Sequence, residues 1–283
     1  MIFFVKNKII IIFIMDEYKL LYKFQNKDER DYMYKAVTTN TNTVTSSITI
    51  PQKNTVLSNT NNIIPKTFII SPMSPILDQG LIGTCVANAF TFSINTQTKN
   101  YLNISRLYLY ANARILDNTP LNQDDGTTPR TVCSSIKKYG AIPESLFPYS
   151  VSNSLIFPSL KLYQGAKYFK TFTYSFINQD ELSLKNCLYT YKSPIVFGFL
   201  VFDSFMLSSV SSTGMVPMPN IKLENCLGGH CMCIVGYDDV KKLFTCANSW
   251  GTKWGKKGLC YIPYSYLLDA YLARDFCFTQ FTY

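Results

Sequence analysis

The stretch CLGGHCMCIVGYDD, residues 226–239, holds the only histidine of a 283-residue chain, behind two glycines at the head of an apolar run. It reads as a β-strand, short, apolar and closed by turn-forming residues. Side chains alternate along a strand, so Cys231 and Cys233 share one face while His230 points to the other. Three ligands do not converge in that arrangement, and HCMC is not read as a zinc site. An imidazole carries protons near neutral pH, yet a lone one needs a partner before it does chemistry.

The surroundings set the fold class. SPIVFGFLVF (193–202), KLFTCANSW (242–250) and GLCYIPY (258–264) are further short, β-rich runs broken by Gly, Pro and Asp, so the region after residue 165 reads as antiparallel strands. Upstream the period is helical. In TCVANAFTFSINTQ (84–97), Val86, Ala89, Phe90 and Ile94 fall on one face, with Thr84 available as N-cap. Ser105 can cap RLYLYANARILD (106–117). A third helix has Thr128 as N-cap, Pro129 at the first position, Lys137 and Lys138 in the last turn and Gly140 just past the end. Helices first and strands later give an α+β chain with two unlike halves.

Cys85 stands in the first turn of the first helix. A thiol is a good nucleophile only as thiolate, and the partial positive charge of a helix N-terminus lowers its pKa. The other eight cysteines fall mid-helix, in loops or in strands, and read as buried thiols. His230 is the proton carrier available to Cys85. Asn248 follows the turn DDVKK, so a hairpin brings it beside His230, where its amide oxygen can accept the imidazole N–H. Trp250 can shield that bond, and Gly228 and Gly229 leave room for a substrate backbone. Gln79, six residues before Cys85, can join the Cys85 backbone N–H in receiving an oxyanion.

DQGLIGTC (78–85), GGHCMCIVGYDD (228–239) and NSWGTKWGKKG (248–258) together resemble the signature blocks of the papain-like cysteine peptidases, in the same order. DDGTTPRTVCSSIKKYGAIPESLFPY (124–149) also resembles the compact branch found in bacteria and large DNA viruses. The resemblance spans about residues 63 to 280. It implies a two-lobe fold with a cleft between a helical lobe carrying the nucleophile and an antiparallel β lobe. Cys85 would be the nucleophile, His230 the general acid and base, Asn248 the orienting amide and Gln79 the oxyanion-hole donor of a cysteine-type endopeptidase needing no cofactor or metal. Its partner would be a protein or peptide substrate. Two alternatives stay open: an amidase or acyltransferase using the same Cys-His-Asn site, and a catalytically silent binding or virion protein.

The family's tryptophan after the nucleophile and its half-cystine three before it are here Val86 and Ile82. One family disulfide is therefore absent. With nine cysteines in all, this leans toward a reducing location, host cytoplasm or virion for a viral chain, with a secreted or lysosome-like setting as the alternative. The net charge of +9 is spread over scattered lysines, and no nucleic-acid module is visible.

Three regions are expected. Residues 1–15 form an apolar stretch too short to span a bilayer, a weak signal or anchor, or the product of a start upstream of Met15. Residues 16–62 form a polar extension and linker whose Thr-, Asn- and Ser-rich run from 38 cannot bury enough surface to order itself, and the family's long helical propeptide is not recognisable in residues 1–62. Residues 63–283 form the peptidase domain, helical to about 165 and β from 166.

Overall fold

The computed structural model describes residues 2–5, 8–11, 18–39, 43–50, 53–55, 63–120, 122–166 and 172–281. Ile2–Val5 (β1) and Lys8–Ile11 (β2) pair with each other; Met15 lies outside the described residues. Met33–Thr39 (β3), Thr43–Ile50 (β4), Lys53–Thr55 (β5) and Thr67–Ile69 (β6) precede three helices, Cys85–Gln97 (α1), Arg106–Leu116 (α2) and Pro129–Tyr139 (α3). Then come Leu160–Gly165 (α4), Phe172–Ile177 (β7), Glu181–Tyr191 (α5), Ile195–Phe202 (β8), Ser208–Thr213 (α6), Cys226–Asp238 (β9), Leu243–Ala247 (β10), Leu259–Pro263 (β11), Tyr264–Leu268 (α7) and Ala273–Phe281 (β12). The main sheet runs β11-β10-β9-β8-β12-β7-β3-β4-β5, with β6 also paired to β9.

The expected helices form where their caps place them. Ser105 accepts from the Tyr108 N–H, Thr128 accepts from the Thr131 N–H, and Gly140 closes α3 at φ 75°. Thr84 differs: it precedes α1 but its side chain caps nothing, because its hydroxyl is drawn to Tyr149 Oη and the Ile82 carbonyl. α5 is a helix within the half expected to be β. Its start is legible in retrospect, since Asp180 accepts from the Ser183 N–H.

Residues Cys85 to Thr96 of α1 are all buried. The polar ones other than Thr91, whose hydroxyl has no partner among the described residues, are satisfied, as burial demands: Asn88 donates to the Thr84 carbonyl, Ser93 to the Pro194 carbonyl, and Asn95 accepts the Ile104 N–H. β9 forms the wall between two cores. Cys231, Cys233 and Val235 pack with α1, α2 and α3, while Met232 and Ile234 face an aromatic core of Phe197, Phe199, Phe205, Trp250 and Trp254. The alternation read from HCMC is therefore present, with the Cys233 thiol 3.1 Å from the Ala89 carbonyl of α1 and His230 on the opposite face, in ring contact with Phe199. This is the two-lobe α+β arrangement that the resemblance implied.

The N-terminal extension departs from a linker. Tyr22, Tyr34 and Ala36 are buried, and β3 joins the sheet by parallel pairing of Met33 with Phe176. The apolar residues responsible stand ahead of the Thr- and Asn-rich run, in which β4 and β5 extend the same edge.

Candidate active site

Cys85 opens α1, with its thiol against the backbone N–H of Cys231, the residue after His230, and near the N–H groups of Val86 and Cys85 itself. His230 is held by β9, opposite Phe199 of β8. Asn248 directly follows β10, whose Ala247 pairs with Cys233. The hairpin thus brings the amide to the ring, with His230 Nε2 2.8 Å from Asn248 Oδ1.

Asn248 Oδ1 also accepts the Ser249 N–H at 2.8 Å, which fixes the amide as an acceptor on this side. His230 Nε2 must then donate, and in the neutral ring the lone pair lies on Nδ1. Nδ1 is buried and has no hydrogen-bond partner among the described residues. Trp250 covers the pair, its ring 4.9 Å from the imidazole.

Gln79 is joined to the same cluster by Ser249. The Ser249 hydroxyl donates to Gln79 Oε1 at 2.7 Å, and the Gln79 N–H donates to the Ser249 carbonyl at 2.8 Å. With its oxygen so occupied, the amide nitrogen turns to the cleft, donating to the carbonyls of Lys19 and Ile82, each at 3.2 Å. His230, Asn248 and Trp250 therefore meet, Gln79 joins them through Ser249, and Cys85 is placed at the N–H of Cys231, one residue from His230. Ser249 was missed, although it sits inside the NSW block just past the end of β10. Among the described residues, no group of three or more His, Cys, Asp or Glu is placed to hold a metal ion, and all nine cysteines are free thiols.

The cleft is filled by the chain's own residues 18–24. Leu21 bridges Gly229, the Tyr22 N–H donates to the Gly229 carbonyl at 3.0 Å, and the Lys23 N–H donates to the Thr127 carbonyl at 3.3 Å. Tyr18 stacks on Trp250 at 4.6 Å, and Lys19 Nζ reaches Asp124 at 2.7 Å. The two glycines before His230 do leave room for a backbone: a methyl group on Gly228 would stand 2.8 Å from the Leu20 oxygen, and one on Gly229 2.5 Å from the Tyr22 oxygen. Beyond Trp250 the groove opens into a depression of ≈ 680 Å³ lined by Tyr18, Ile76, Asp78 and Lys253.

This cover sets the electrostatics. Burial pushes the Cys85 thiol up to about 12, outweighing the N–H groups that lower it. Burial also holds His230 down to about 4, with Asn248 pulling weakly the other way. The pair is therefore neutral across the physiological range. As the folded pKa of His230 lies below its unfolded value, the unfolded chain takes up the proton first, and stability falls as pH drops from 6.5 toward 4. Because the chain has one histidine, its ring resonance is unambiguous. It is expected not to titrate between about pH 5.5 and 8 in NMR spectra of the native chain; a midpoint near the ordinary value would contradict the buried, covered ring.

Residues 66–267 match the papain family of cysteine proteases, and the chain belongs to that family. It is 37% identical over 217 residues to a peptidase C1-like protein of Acanthamoeba polyphaga mimivirus, a span of 72% of this chain and 69% of that protein. Its structure is similar to xylellain, a cysteine protease from Xylella fastidiosa, with a TM-score of 0.79, 28% identity and coverage of 93% of this chain and 96% of that one. The fold is also shared with digestive procathepsin L 3 of the Tenebrio molitor larval midgut, at a TM-score of 0.60, 18% identity and coverage of 79% and 72% of the two chains. No helix among the described residues is long and apolar enough to cross a membrane.

Proposed function

We propose that the chain is a cysteine endopeptidase held closed by its own residues 18–24. The observation that carries this reading is the His230–Asn248 bond, which leaves an unpartnered Nδ1 lone pair on the residue next to Cys231, whose N–H meets the Cys85 thiol. Once the cover is displaced, water and the helix N-terminus favour the thiolate of Cys85, with the proton on His230. Sγ attacks a peptide carbonyl, and the oxyanion is received by Gln79 Nε2 and the Cys85 N–H. His230 then protonates the leaving amine and Sγ keeps the acyl group. Water, deprotonated by His230, releases the acid and restores the thiol.

A groove that holds a continuous stretch of chain supports internal cleavage: Tyr22 bonds to Gly229, and Tyr18 stacks on Trp250, where the depression opens. The test is labelling with an epoxide-type thiol probe followed by peptide mapping. A single adduct on Cys85, formed faster after the cover is weakened, is expected. Labelling spread over the other cysteines, with none on Cys85, would remove the assignment.

A further inference from the structure

Side chains from α1, α2 and the segment after α3 converge on the loop 78–84 that leads into Cys85. Arg106 opens α2 and sits over the Tyr149 ring, its guanidinium carbon 3.7 Å from the ring centre. Glu144 holds it there, accepting from Nη2 at 2.9 Å, from Nε at 3.3 Å and from the Arg106 N–H at 3.0 Å. The remaining arm, Nη1, donates to the Asp78 carbonyl at 3.0 Å and to Asn88 Oδ1 at 3.3 Å. Asn88 donates in turn to the Thr84 hydroxyl at 2.9 Å, Thr84 bonds to Tyr149 Oη, and Tyr149 Oη donates to the Gln79 carbonyl at 2.8 Å. Burial raises the Tyr149 hydroxyl to about 12, so it keeps the proton it donates.

The backbone around Gln79 is thereby gripped at three points. Arg106 takes the carbonyl before it, Ser249 its N–H, and Tyr149 its own carbonyl. The half-buried Arg106–Glu144 pair is a weak source of net stability, but its fork fixes a direction. Direction matters at this place, because a misplacement of about 1 Å in a group that meets the reacting atoms costs about 10²-fold in rate.

We propose that Arg106 and Tyr149 are positioning residues: by holding the carbonyls of Asp78 and Gln79 they fix where Gln79 Nε2 stands relative to Cys85, and so set the rate of acyl transfer without touching the substrate. The proposal rests on the peptidase reading of the site. It gives the two oxyanion donors separate supports, since the Cys85 N–H is placed by α1 itself and Gln79 Nε2 by this brace. Loosening the brace therefore weakens oxyanion binding and spares the thiol's reaction with iodoacetamide, which forms no oxyanion.

Tyr149→Phe deletes one hydroxyl and keeps the ring beneath Arg106. In the full-length Tyr22→Ala chain, whose cleft cover has lost a buried ring, it is expected to lower kcat for peptide hydrolysis about 30-fold, with KM and the rate of Cys85 alkylation each within about twofold. With Gln79→Ala already present, the same substitution is expected to cost less than about threefold. A loss of equal size in both backgrounds, or one carried by KM or by slower alkylation, would mark a structural role only and overturn the proposal. Arg106→Lys keeps the charge without the fork that spans Glu144 and Asp78, and is expected to lower kcat about tenfold with the same dependence on Gln79.

Amide hydrogen exchange of the same chains needs no hydrolysis. Tyr149→Phe is expected to speed exchange at the Gln79 and Ile82 N–H groups about tenfold or more, while the Gly83 N–H, held by Asp124, changes less than about twofold. Unchanged exchange at Gln79 and Ile82, or equal acceleration at Gly83, would overturn the brace. If no peptide is cut by any of these chains, the peptidase reading fails, and the exchange measurement alone decides whether Tyr149 holds Gln79 in place.

Discussion

Replacing Cys85 with alanine is expected to lower peptide hydrolysis by about 10⁴-fold or more, because no second thiol can take over the attack. The other eight are placed elsewhere: Cys231 and Cys233 face α1, and Cys133, Cys187, Cys246, Cys260 and Cys277 are buried. Cys226 is exposed, four residues before His230 on the same strand, with its own position opposite Phe202 rather than Phe199. The fold should survive, since alanine keeps the helix and the site removes only one sulfur atom from a buried corner. The measurement is hydrolysis of a casein or peptide substrate beside a thermal unfolding curve; full activity with Cys85 absent would end the assignment.

The second large effect concerns the cover. Tyr22→Ala removes a buried ring and its hydrogen bond to Asp275, a loss of about 3–5 kcal/mol in comparable core positions. Residues 18–24 are then expected to leave the cleft in a substantial fraction of molecules. The Cys85 thiol falls from about 12 toward its ordinary value of 9.0, and each unit raises the thiolate fraction at pH 7 about tenfold. Alkylation of Cys85 should therefore quicken by about 10²- to 10³-fold, and the His230 resonance should titrate at higher pH than in the parent. An unchanged alkylation rate would show that residues 18–24 do not limit access.

Most of the site was readable because its residues sit in signature blocks with local logic. Cys85 follows from helix position, His230 from being the only imidazole, and Asn248 from one hairpin. Ser249 and Tyr149 were not, since each acts through tertiary contacts: Ser249 reaches back to Gln79 across 170 residues, and the Tyr149 hydroxyl reaches it across 70. The extension misled for a different reason. Its composition is dominated by the Thr- and Asn-rich run, whereas its packing is decided by a few aromatic residues, Tyr18, Tyr22 and Tyr34. α5 was hidden by its mixed surface, of which Ser183, Leu184, Asn186, Cys187 and Leu188 are buried, Ser183 against β3.

The parallel pairing of β3 with β7 also settles how the cleft can be cleared. Tyr22 and Met33 are separated by only eleven positions, and Met33 is fastened to the sheet at Phe176. A short tether of this length keeps a released segment at an effective concentration of roughly millimolar. Dilution cannot separate the two, so opening is a unimolecular equilibrium that any soluble competitor must match at that concentration. Cutting the backbone between Phe24 and Met33 would convert it into an ordinary bimolecular dissociation, and with that a self-blocked chain would become one that dilution keeps open.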